Sequence, residues 1–383
     1  MPDDPPRGIL ISAGEASGDA HGAALARALA ARRPGTPLFG VAGQAMREAG
    51  VEPVARVEDI AVMGFVEVLR HLLRIWRAFR AILRAARERR PELAVLIDAP
   101  DFHLRLARRL SRRGVPVVYY IGPQLWAWRP GRVKKILRWV RRMLVIFPFE
   151  EAFYRGHGMQ NVEFVGHPLL DRPAPPDREV VRAQLGPALG STLVALLPGS
   201  RRSEASRHLP ILLEAAERIA VQRPGVSFVL PVAPTLDPED IEQRCAGTDI
   251  DLRIVQEPAS NVLAVCNAAA VVSGTATVEA ALAGAPMVIL YRTSWLSYLI
   301  ARSLVKVEHI GMANLILGRR AAPELIQGEA TPQQVADEVL KLLETGEAAE
   351  AQRAAWSELR ERLGGEGEAA SRAAQAALAV LAE

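Results

Sequence analysis

The pattern that most constrains this chain is an apolar run, a glycine turn and a helix in direct succession, and it recurs along the sequence. The clearest copy starts with Ala268–Val272, continues through Ser273-Gly274-Thr275 and ends in a helical pattern that stops at Gly284. Short apolar runs predict buried strands, and strands that alternate with helices predict parallel sheets. The chain should therefore belong to the α/β class. The other strands we predict are Gly8–Ser12, Leu93–Ile97, Val115–Ile121, Met143–Phe147, Val162–Val165, Thr192–Leu197, Ser227–Pro231 and Leu252–Val255.

The turn at Ser273–Thr275 is a candidate phosphate site. The first turn of a helix carries free backbone N–H groups and a partial positive charge, and small turn residues let an anion come close. Glu279 lies one helical turn beyond Thr275, where a carboxylate could accept hydrogen bonds from ribose hydroxyls. The alternative is an ordinary turn of an α/β sheet followed by a surface glutamate. The residues alone leave both interpretations open.

The length of 383 residues predicts two domains. The clearest linker is the proline-rich stretch 173–177, so we predict a first domain over 1–168 and a second over 169–331. Residues 332–383 form Ala/Glu/Arg-rich helices that we expect to pack across both domains.

Several classes of protein are disfavoured by the composition. No apolar run approaches the ~20 residues that a membrane-spanning helix needs. The acidic, proline-rich start is unlike a signal peptide, and two cysteines without metal-type spacing indicate a reducing, cytoplasmic setting. Residues 1–170 hold 27 Lys/Arg against 16 Asp/Glu, a net charge of +11, whereas residues 171–383 have a net charge of −7. The first half should therefore meet an anionic partner, such as a membrane, a nucleic acid or an acidic substrate.

The glycine loop after the first strand is a candidate sugar site. It contains Gly14, Glu15, Ser17, Gly18 and Asp19 but neither the dinucleotide nor the P-loop glycine spacing. Its two carboxylates suit sugar hydroxyls better than phosphate. The alternative is a helix start capped by Ser17 or Asp19.

A second candidate follows the strand Leu93–Ile97. Asp98 lies at the carboxyl end of that strand, where open α/β sheets place ligands, so it is a candidate general base. The alternative is a simple turn. We assign Asp101 to the N-cap of the helix Phe102–Arg112.

The helix predicted over residues 64–83 is amphipathic with a face of a single charge sign. Residues 68–87 contain no Asp or Glu, which fits a helix lying in a membrane interface; a core-packed helix with a solvated arginine face is the alternative. The apolar face comprises Phe65, Val68, Leu69, Leu72, Ile75, Trp76 and Phe79, and the basic face includes Arg70, Arg74 and Arg77.

Four further features carry weaker signals. Trp126 and Trp128 could stack on a sugar or acyl chain, or could anchor their loop. His167, before a proline, is either a ligand contact or a structural residue. Arg201, in the loop after Thr192–Leu197, can pair with two phosphate oxygens at once, or can be a surface residue. The Asp249–Asp251 pair precedes a strand, so we interpret it as a turn and not as a metal motif.

Eight stretches, taken together and in this order, resemble the lipid-A-disaccharide synthase family. They are Gly14-Glu15-Ala16-Ser17-Gly18-Asp19, Val62-Met63-Gly64-Phe65-x-Glu67-Val68, Asp98-Ala99-Pro100-Asp101-Phe102, Trp126-Ala127-Trp128-Arg129, Gly166-His167-Pro168, Leu197-Pro198-Gly199-Ser200-Arg201, Ser273-Gly274-Thr275-Ala276-Thr277-x-Glu279 and Pro323-Glu324-Leu325-x-Gln327. One departure is His103, where the family usually has Asn.

The resemblance implies a GT-B fold, in which two Rossmann-like domains face each other across a cleft and C-terminal helices cross back. It implies an inverting transfer of 2,3-diacylglucosamine from its UDP donor to the 6-hydroxyl of 2,3-diacylglucosamine 1-phosphate. The products would be lipid A disaccharide 1-phosphate and UDP. Other classes that the residues allow are a UDP-GlcNAc 2-epimerase of similar fold and a non-enzymatic binder of anionic membranes.

The resemblance also assigns roles to residues. Asp98 would be the base. The UDP donor would meet a set of residues from the second domain: Gly199, Ser200, Arg201, Ser273, Gly274, Thr275, Thr277, Glu279 and Asn314. The acceptor would meet Glu15, Ser17, Gly18, Asp19 and Met63. No metal or other cofactor is expected, because Arg201 and the helix N-terminus supply positive charge. The expected partners are the two lipid substrates and the cytoplasmic face of the anionic inner membrane, with no nucleic acid; a homodimer is also possible.

Overall fold

The computed structural model describes residues 7–60, 65–126, 131, 133–186, 192–295, 298, 308–344, 346–365 and 367–383; for residues 16 and 65–72 it describes the backbone only. The chain divides into two compact units. The first unit is Met1–Asp171 together with Leu363–Glu383, and the second is Arg172–Arg362. The last helix of the chain therefore belongs to the first unit.

Among its described residues, the first unit contains a seven-stranded parallel sheet in the order β3-β2-β1-β4-β5-β6-β7. The order reverses between β1 and β4, which pair directly. The strands are β1 Ile9–Ala13, β2 Leu38–Ala42, β3 Glu52–Arg56, β4 Leu93–Ile97, β5 Val117–Tyr120, β6 Arg142–Val145 and β7 Val162–Phe164.

The described part of the second unit contains a six-stranded parallel sheet in the order β10-β9-β8-β11-β12-β13. Here the order reverses between β8 and β11. The strands are β8 Thr192–Leu197, β9 Val226–Pro231, β10 Leu252–Val255, β11 Ala268–Val272, β12 Met287–Tyr291 and β13 Glu324–Ile326.

Helices connect the parallel strands. Those of the first unit are α1 Ala16–Arg32, α2 Gln44–Glu48, α3 Phe65–Arg89, α4 Pro100–Ser111, α5 Val133–Trp139 and α6 Pro148–Gly156. The second unit has α7 Arg178–Leu185, α8 Arg202–Gln222, α9 Pro238–Cys245, α10 Ala259–Val265, α11 Thr275–Leu282, α12 Met312–Leu317, α13 Pro332–Glu344 and α14 Glu347–Arg362; α15 Ala369–Ala379 returns to the first unit. Short 3₁₀ turns occupy Val57–Asp59, Pro168–Asp171, Gln327–Glu329 and Val380–Ala382.

The central strands are fully buried, as their unbroken apolar runs predict. Every residue of β1, β4 and β11 is buried, because helices cover both faces of a parallel sheet. The predicted α/β class is confirmed.

One helix start differs from the prediction. Asp101 is not the N-cap of α4; the cap is Ala99, and Asp101 lies within the first turn. The helix starts early because Pro100 is well suited to the first helical position, where its missing N–H has no partner to lose.

Candidate functional site

Both sheets place predicted site residues at the point where the strand order reverses. In the first unit, Ala13 at the end of β1 pairs with Ile97 at the end of β4. The loops that begin at Gly14 and Asp98 therefore leave the sheet side by side. Open α/β sheets bind ligands at such reversals. The fold thus brings together two stretches that lie far apart in the sequence.

The backbone at Asp98 is strained. Asp98 and Ala99 have φ angles of +54° and +43°, in the left-handed region that side chains other than glycine rarely adopt. Such residues cost on the order of 1–3 kcal/mol each and persist only where surrounding contacts hold them. Gly14 permits this turn, because a Cβ there would lie 2.0 Å from the Cβ of Ala99.

Two buried side chains hold the Asp98 carbonyl. The Tyr119 hydroxyl donates to it at 2.5 Å, and Nδ1 of His103 lies 2.7 Å from it. Since a carbonyl can only accept, Nδ1 carries the proton and Nε2 accepts from the Ser12 hydroxyl, 2.8 Å away. Burial lowers the pKa of His103 to about 4, so the ring is neutral.

His103 was not among the predicted site residues, but the structure gives it a role beside Asp98. It is fully buried and fixes the turn that presents Asp98. Its signal in the sequence was its departure from the family's usual Asn, which by itself indicates no particular partner.

The carboxyl group of Asp98 has a raised pKa. Burial is the main cause, the negative charge of Glu15 adds to it, and the pKa reaches about 6. A group with this pKa exchanges protons near neutral pH, which suits a general base. Glu15 and Ser17 are exposed at the start of α1, while Gly18 is buried, and a Cβ there would lie 3.8 Å from Cγ2 of Ile97.

Asp19 has a different role from the one predicted. Its carboxylate accepts hydrogen bonds from the backbone N–H groups of Gly43, Ala45 and Met46, at 2.7, 2.9 and 3.2 Å. It therefore caps α2 and not its own helix, where the N-cap is Glu15. A buried carboxylate with three such donors is a structural group, and it has little remaining capacity for a sugar hydroxyl.

The second unit repeats the arrangement at the boundary between β8 and β11. Leu197 pairs with Val271, so the loops starting at Pro198 and Ser273 are neighbours. Gly199 has a φ of +104°, and a Cβ there would lie 2.8 Å from the Cβ of Glu204. Only glycine fits this turn. Ser200 is exposed, and its carbonyl accepts a hydrogen bond from Thr235.

Arg201 is an exposed cation that is paired within its own turn. It is the N-cap residue of α8, and its Nη1 lies 3.0 Å from Oε1 of Glu204. Its side chain is 61% exposed. An ion pair this exposed is worth little, so an incoming anion with two oxygens can replace it at small cost.

The turn at Ser273 is ordered by its own hydroxyl groups. Ser273 Oγ donates to the carbonyl of Ile310 at 2.8 Å, and Thr277 Oγ1 donates to that of Gly274 at 2.8 Å. Thr277 is fully buried, so its hydroxyl shapes the turn. Thr275 begins α11 and is exposed.

Glu279 forms an ion pair with Arg172, the first residue of the second unit. Its side chain keeps 20% of its surface exposed. A carboxylate in such a pair still has free lone pairs for hydroxyl donors.

Asn314 is placed differently from the prediction that it lines the nucleotide site. It is fully buried, and both sides of its amide are occupied. Nδ2 donates to the Ala322 carbonyl and to Glu324 Oε1, both at 2.8 Å, while Oδ1 accepts from the N–H groups of Ala321 and Ala322. With its hydrogen-bonding capacity used, Asn314 supports the segment around residues 310–311, whose N–H groups also bind Glu324.

Comparison with known proteins identifies the family. The model of the family described as lipid-A-disaccharide synthetase matches residues 9–380. A lipid-A-disaccharide synthase of Anaeromyxobacter dehalogenans (strain 2CP-1) is 50% identical over 374 residues, which cover 97% of each chain.

The chain belongs to the lipid-A-disaccharide synthase family.

Solved structures show the same fold at low sequence identity. The calicheamicin glycosyltransferase CalG4 aligns with a TM-score of 0.60 at 18% identity and covers 98% of both chains. UDP-GlcNAc 2-epimerase from Neisseria meningitidis, solved with UDP-GlcNAc, aligns with a TM-score of 0.67 at 12% identity and covers 97% of this chain and 99% of its own. The GT-B type of fold, predicted for a lipid-A-disaccharide synthase, is confirmed.

In this member of the lipid-A-disaccharide synthase family, α3 has both buried and exposed apolar residues. Ala78 and Ile82 are buried against the first sheet, and Phe79 is half-buried, edge-on to Phe102 at 5.5 Å. In contrast, Leu73 and Trp76 are 70% and 53% exposed. The helix thus packs on the core through its second half and presents Leu73 and Trp76 to solvent near its middle.

Other predicted contact residues complete this picture. Arg74 and Arg77 are exposed, and Ile75 is half-buried. Met63, Trp128 and the side chains of Phe65, Val68, Leu69, Arg70 and Leu72 lie outside the described residues. No helix of the described ranges is long and apolar enough to cross a bilayer.

The remaining family motifs have structural contacts. Trp126 donates its indole N–H to the buried Glu150 at 3.1 Å, which anchors the loop. His167 is buried and accepts from the N–H of Leu169 at 3.2 Å. Asp251 accepts a hydrogen bond from the hydroxyl of Ser227 in β9 at 2.6 Å. Where side chains are described, no group of three or more His, Cys, Asp or Glu could hold a metal ion.

Proposed function

We propose that the chain transfers 2,3-diacylglucosamine from its UDP donor to the 6-hydroxyl of 2,3-diacylglucosamine 1-phosphate. Membership of the lipid-A-disaccharide synthase family makes it a glycosyltransferase of lipid A biosynthesis that acts on UDP-sugar and lipid substrates. The donor is an α-linked nucleotide sugar and the product is β-linked, so the reaction inverts the sugar carbon. Inversion in one displacement requires a base for the acceptor hydroxyl and stabilisation of the leaving UDP.

We assign the base to Asp98. The observation that carries this assignment is the combination of its position and its pKa, about 6, at the reversal point of the first sheet. The carboxylate would take the proton of the acceptor 6-hydroxyl as that oxygen attacks the sugar carbon. His103 and Tyr119 hold the Asp98 carbonyl, so they act as positioning residues that keep the carboxylate at a fixed angle.

We assign the leaving diphosphate to the loops at Gly199–Arg201 and Ser273–Thr275. Arg201 would leave Glu204 and pair with two phosphate oxygens, while the N–H groups at the starts of α8 and α11 would donate to others. Glu279 would accept from ribose hydroxyls. Thr277 and Asn314 support these loops from the buried side.

We place the acceptor sugar against the start of α1, where Glu15 and Ser17 are exposed beside the Asp98 turn. Asp19 keeps its capping role, and Gly18 and Met63 remain candidate contacts from the sequence. The exposed Leu73 and Trp76, next to Arg74 and Arg77, support contact with an anionic membrane surface. We expect the protein to work at the cytoplasmic face of the inner membrane.

No metal ion or other cofactor enters this proposal, since Arg201 and two helix starts would supply positive charge for the diphosphate. No nucleic acid is expected as a partner, and a homodimer remains a prediction. UDP release from the diacylated donor, measured with and without the monosaccharide phosphate acceptor, tests the function. We expect release to depend on the acceptor; acceptor-independent release, or none, would contradict the proposal.

A further inference from the structure

The first unit has a cationic pocket that the proposed mechanism does not use. It has a volume of about 470 Å³ and lies among α3, α4 and α5. Its lining residues are Phe79, Pro100, Asp101, Leu104, Arg105, Arg108, Arg109, Lys135 and Trp139.

The charges of this pocket are one-sided. Among the described residues that line it, four are cations and one, Asp101, is a carboxylate. In the described part of the chain, none of the four cations forms an ion pair, although many other arginines of the protein do. Arg108 lies over the ring of Trp139, 5.8 Å from its centroid. Unpaired cations that converge on one pocket raise the local positive potential, so the expected ligand is an anion.

The walls of the pocket add an apolar component. Phe79 and Trp139 are half-buried aromatic residues, and Leu104 and Pro100 lie beside them. Phe79 lies one turn along α3 from Trp76, which is exposed, so the pocket borders the surface that we assign to the membrane. A basic pocket next to an interfacial helix is the arrangement that recognises lipid phosphate groups. A bare inorganic anion would gain nothing from these aromatic walls.

We propose that this pocket binds the phosphate of an acylated lipid, with the first carbons of its acyl region against Phe79 and Trp139. Arg105 and Arg109 would pair with the phosphate oxygens, since both are exposed and without an ion-pair partner in the described residues. The lipid is either the acceptor, through its 1-phosphate, or an anionic phospholipid of the membrane. The pocket begins at Pro100, two residues after Asp98, so a lipid bound there could be the acceptor of the reaction. This identification of the lipid as the acceptor rests on the proposed function.

The test compares two double variants that lose the same charge. Arg105→Gln/Arg109→Gln removes the pocket cations, whereas Arg27→Gln/Arg112→Gln removes two exposed arginines outside the pocket. All four residues are exposed, so both variants should fold, which their thermal unfolding will check. Binding is measured in two ways, neither of which depends on turnover. One is flotation with phosphatidylcholine vesicles that contain or lack phosphatidylglycerol; the other is titration of the acceptor in dodecylmaltoside micelles, followed by tryptophan fluorescence.

We expect the pocket variant to bind either the phosphatidylglycerol vesicles or the acceptor about 10- to 100-fold more weakly than the control variant does. Weakening in the micelle titration identifies the acceptor phosphate, and weakening only with phosphatidylglycerol vesicles identifies a phospholipid headgroup. If the pocket variant binds as tightly as the control variant in both the flotation and the micelle titration, the proposal is overturned. Failure of the wild-type chain to release UDP would instead contradict the proposed function and leave these two binding measurements intact.

Discussion

The two sheets reverse their strand order in the same way but present opposite chemistry at the reversal. In the first unit, the loop after β4 carries a partly buried carboxyl group on a strained backbone, held by His103 and Tyr119. In the second unit, the loop after β8 carries the exposed cation Arg201 on a glycine turn. One topology therefore provides two kinds of site, and the residues after the strands decide which.

The contrast explains why the two sites should respond differently to mutation. Burial raises the pKa of Asp98, and the fixed turn sets the direction of its carboxyl group. Asp98 is therefore suited to a chemical step that tolerates little misplacement of the base. Arg201 is held only by an exposed pair, so it is suited to binding, where an ion exchanges one partner for another. The variants below test whether Asp98 acts in the chemical step and Arg201 in binding.

The largest effect should come from Asp98→Asn. Without a base at the end of β4, kcat should fall roughly 10²- to 10⁴-fold, while UDP affinity stays near that of the wild type. Steady-state kinetics and calorimetric titration of UDP measure the two quantities. Glu48→Gln, which removes an exposed carboxylate of the same unit, should leave both unchanged. Near-normal turnover of Asp98→Asn would exclude Asp98 as the base.

Arg201→Gln should chiefly weaken the binding of UDP. Loss of hydrogen bonds to a charged group costs about 1.5–3 kcal/mol, which corresponds to roughly a 10- to 100-fold higher Kd. The control is Arg218→Gln in α8, an exposed arginine that pairs with Glu214 and also donates to Gln333. Equal Kd values for the two variants would remove Arg201 from the diphosphate site.

Leu73→Ser/Trp76→Ser should reduce binding to anionic vesicles roughly tenfold, because each exposed side chain would lose part of its apolar burial in the interface. The melting temperature should change little, since both residues are exposed in the free protein. Val221→Ser, at a residue 81% exposed in the second unit, is the control. A large loss of stability with unchanged vesicle binding would support a packing role for this part of α3.

Glu15→Gln should produce the smallest effect, a shift in the pH dependence of turnover. The charge of Glu15 raises the pKa of Asp98, so its removal should lower that pKa and move the acid limb of the kcat profile to lower pH. Burial is the larger cause and remains, so the shift should be partial. A limb that stays in place, or moves to higher pH, would show that Glu15 does not act on the catalytic carboxyl group.

Much of the fold was predictable because buried parallel strands have unbroken apolar sequences. Leu93–Ile97, Thr192–Leu197 and Ala268–Val272 were predicted with the bounds that the structure shows. Four of the described strands were not predicted: the buried Leu38–Ala42 and Met287–Tyr291, and the edge strands Glu52–Arg56 and Glu324–Ile326. Glu52–Arg56 contains a proline and two charged residues and is largely exposed, so it lacks the apolar signal that periodicity detects.

The candidate site was predictable in position but only partly in role. The ends of β4, β8 and β11 mark where ligands can bind, and this follows from strand order alone. What the sequence could not show is the target of each polar side chain. Asp19 caps α2, which lies 24 or more residues further along the chain, and Asn314 has all its partners in a later segment. Both look like ligand residues until their long-range contacts are known.

The central claim, that Asp98 is the base for sugar transfer, is tested most directly by the pH dependence of a single turnover at saturating donor and acceptor. Since the carboxyl group must be ionised to accept a proton, the rate should fall as the pH drops through about 6, and the residual activity of Asp98→Asn should lack this limb. A rate that is constant through this range, or an identical limb in Asp98→Asn, would contradict the claim.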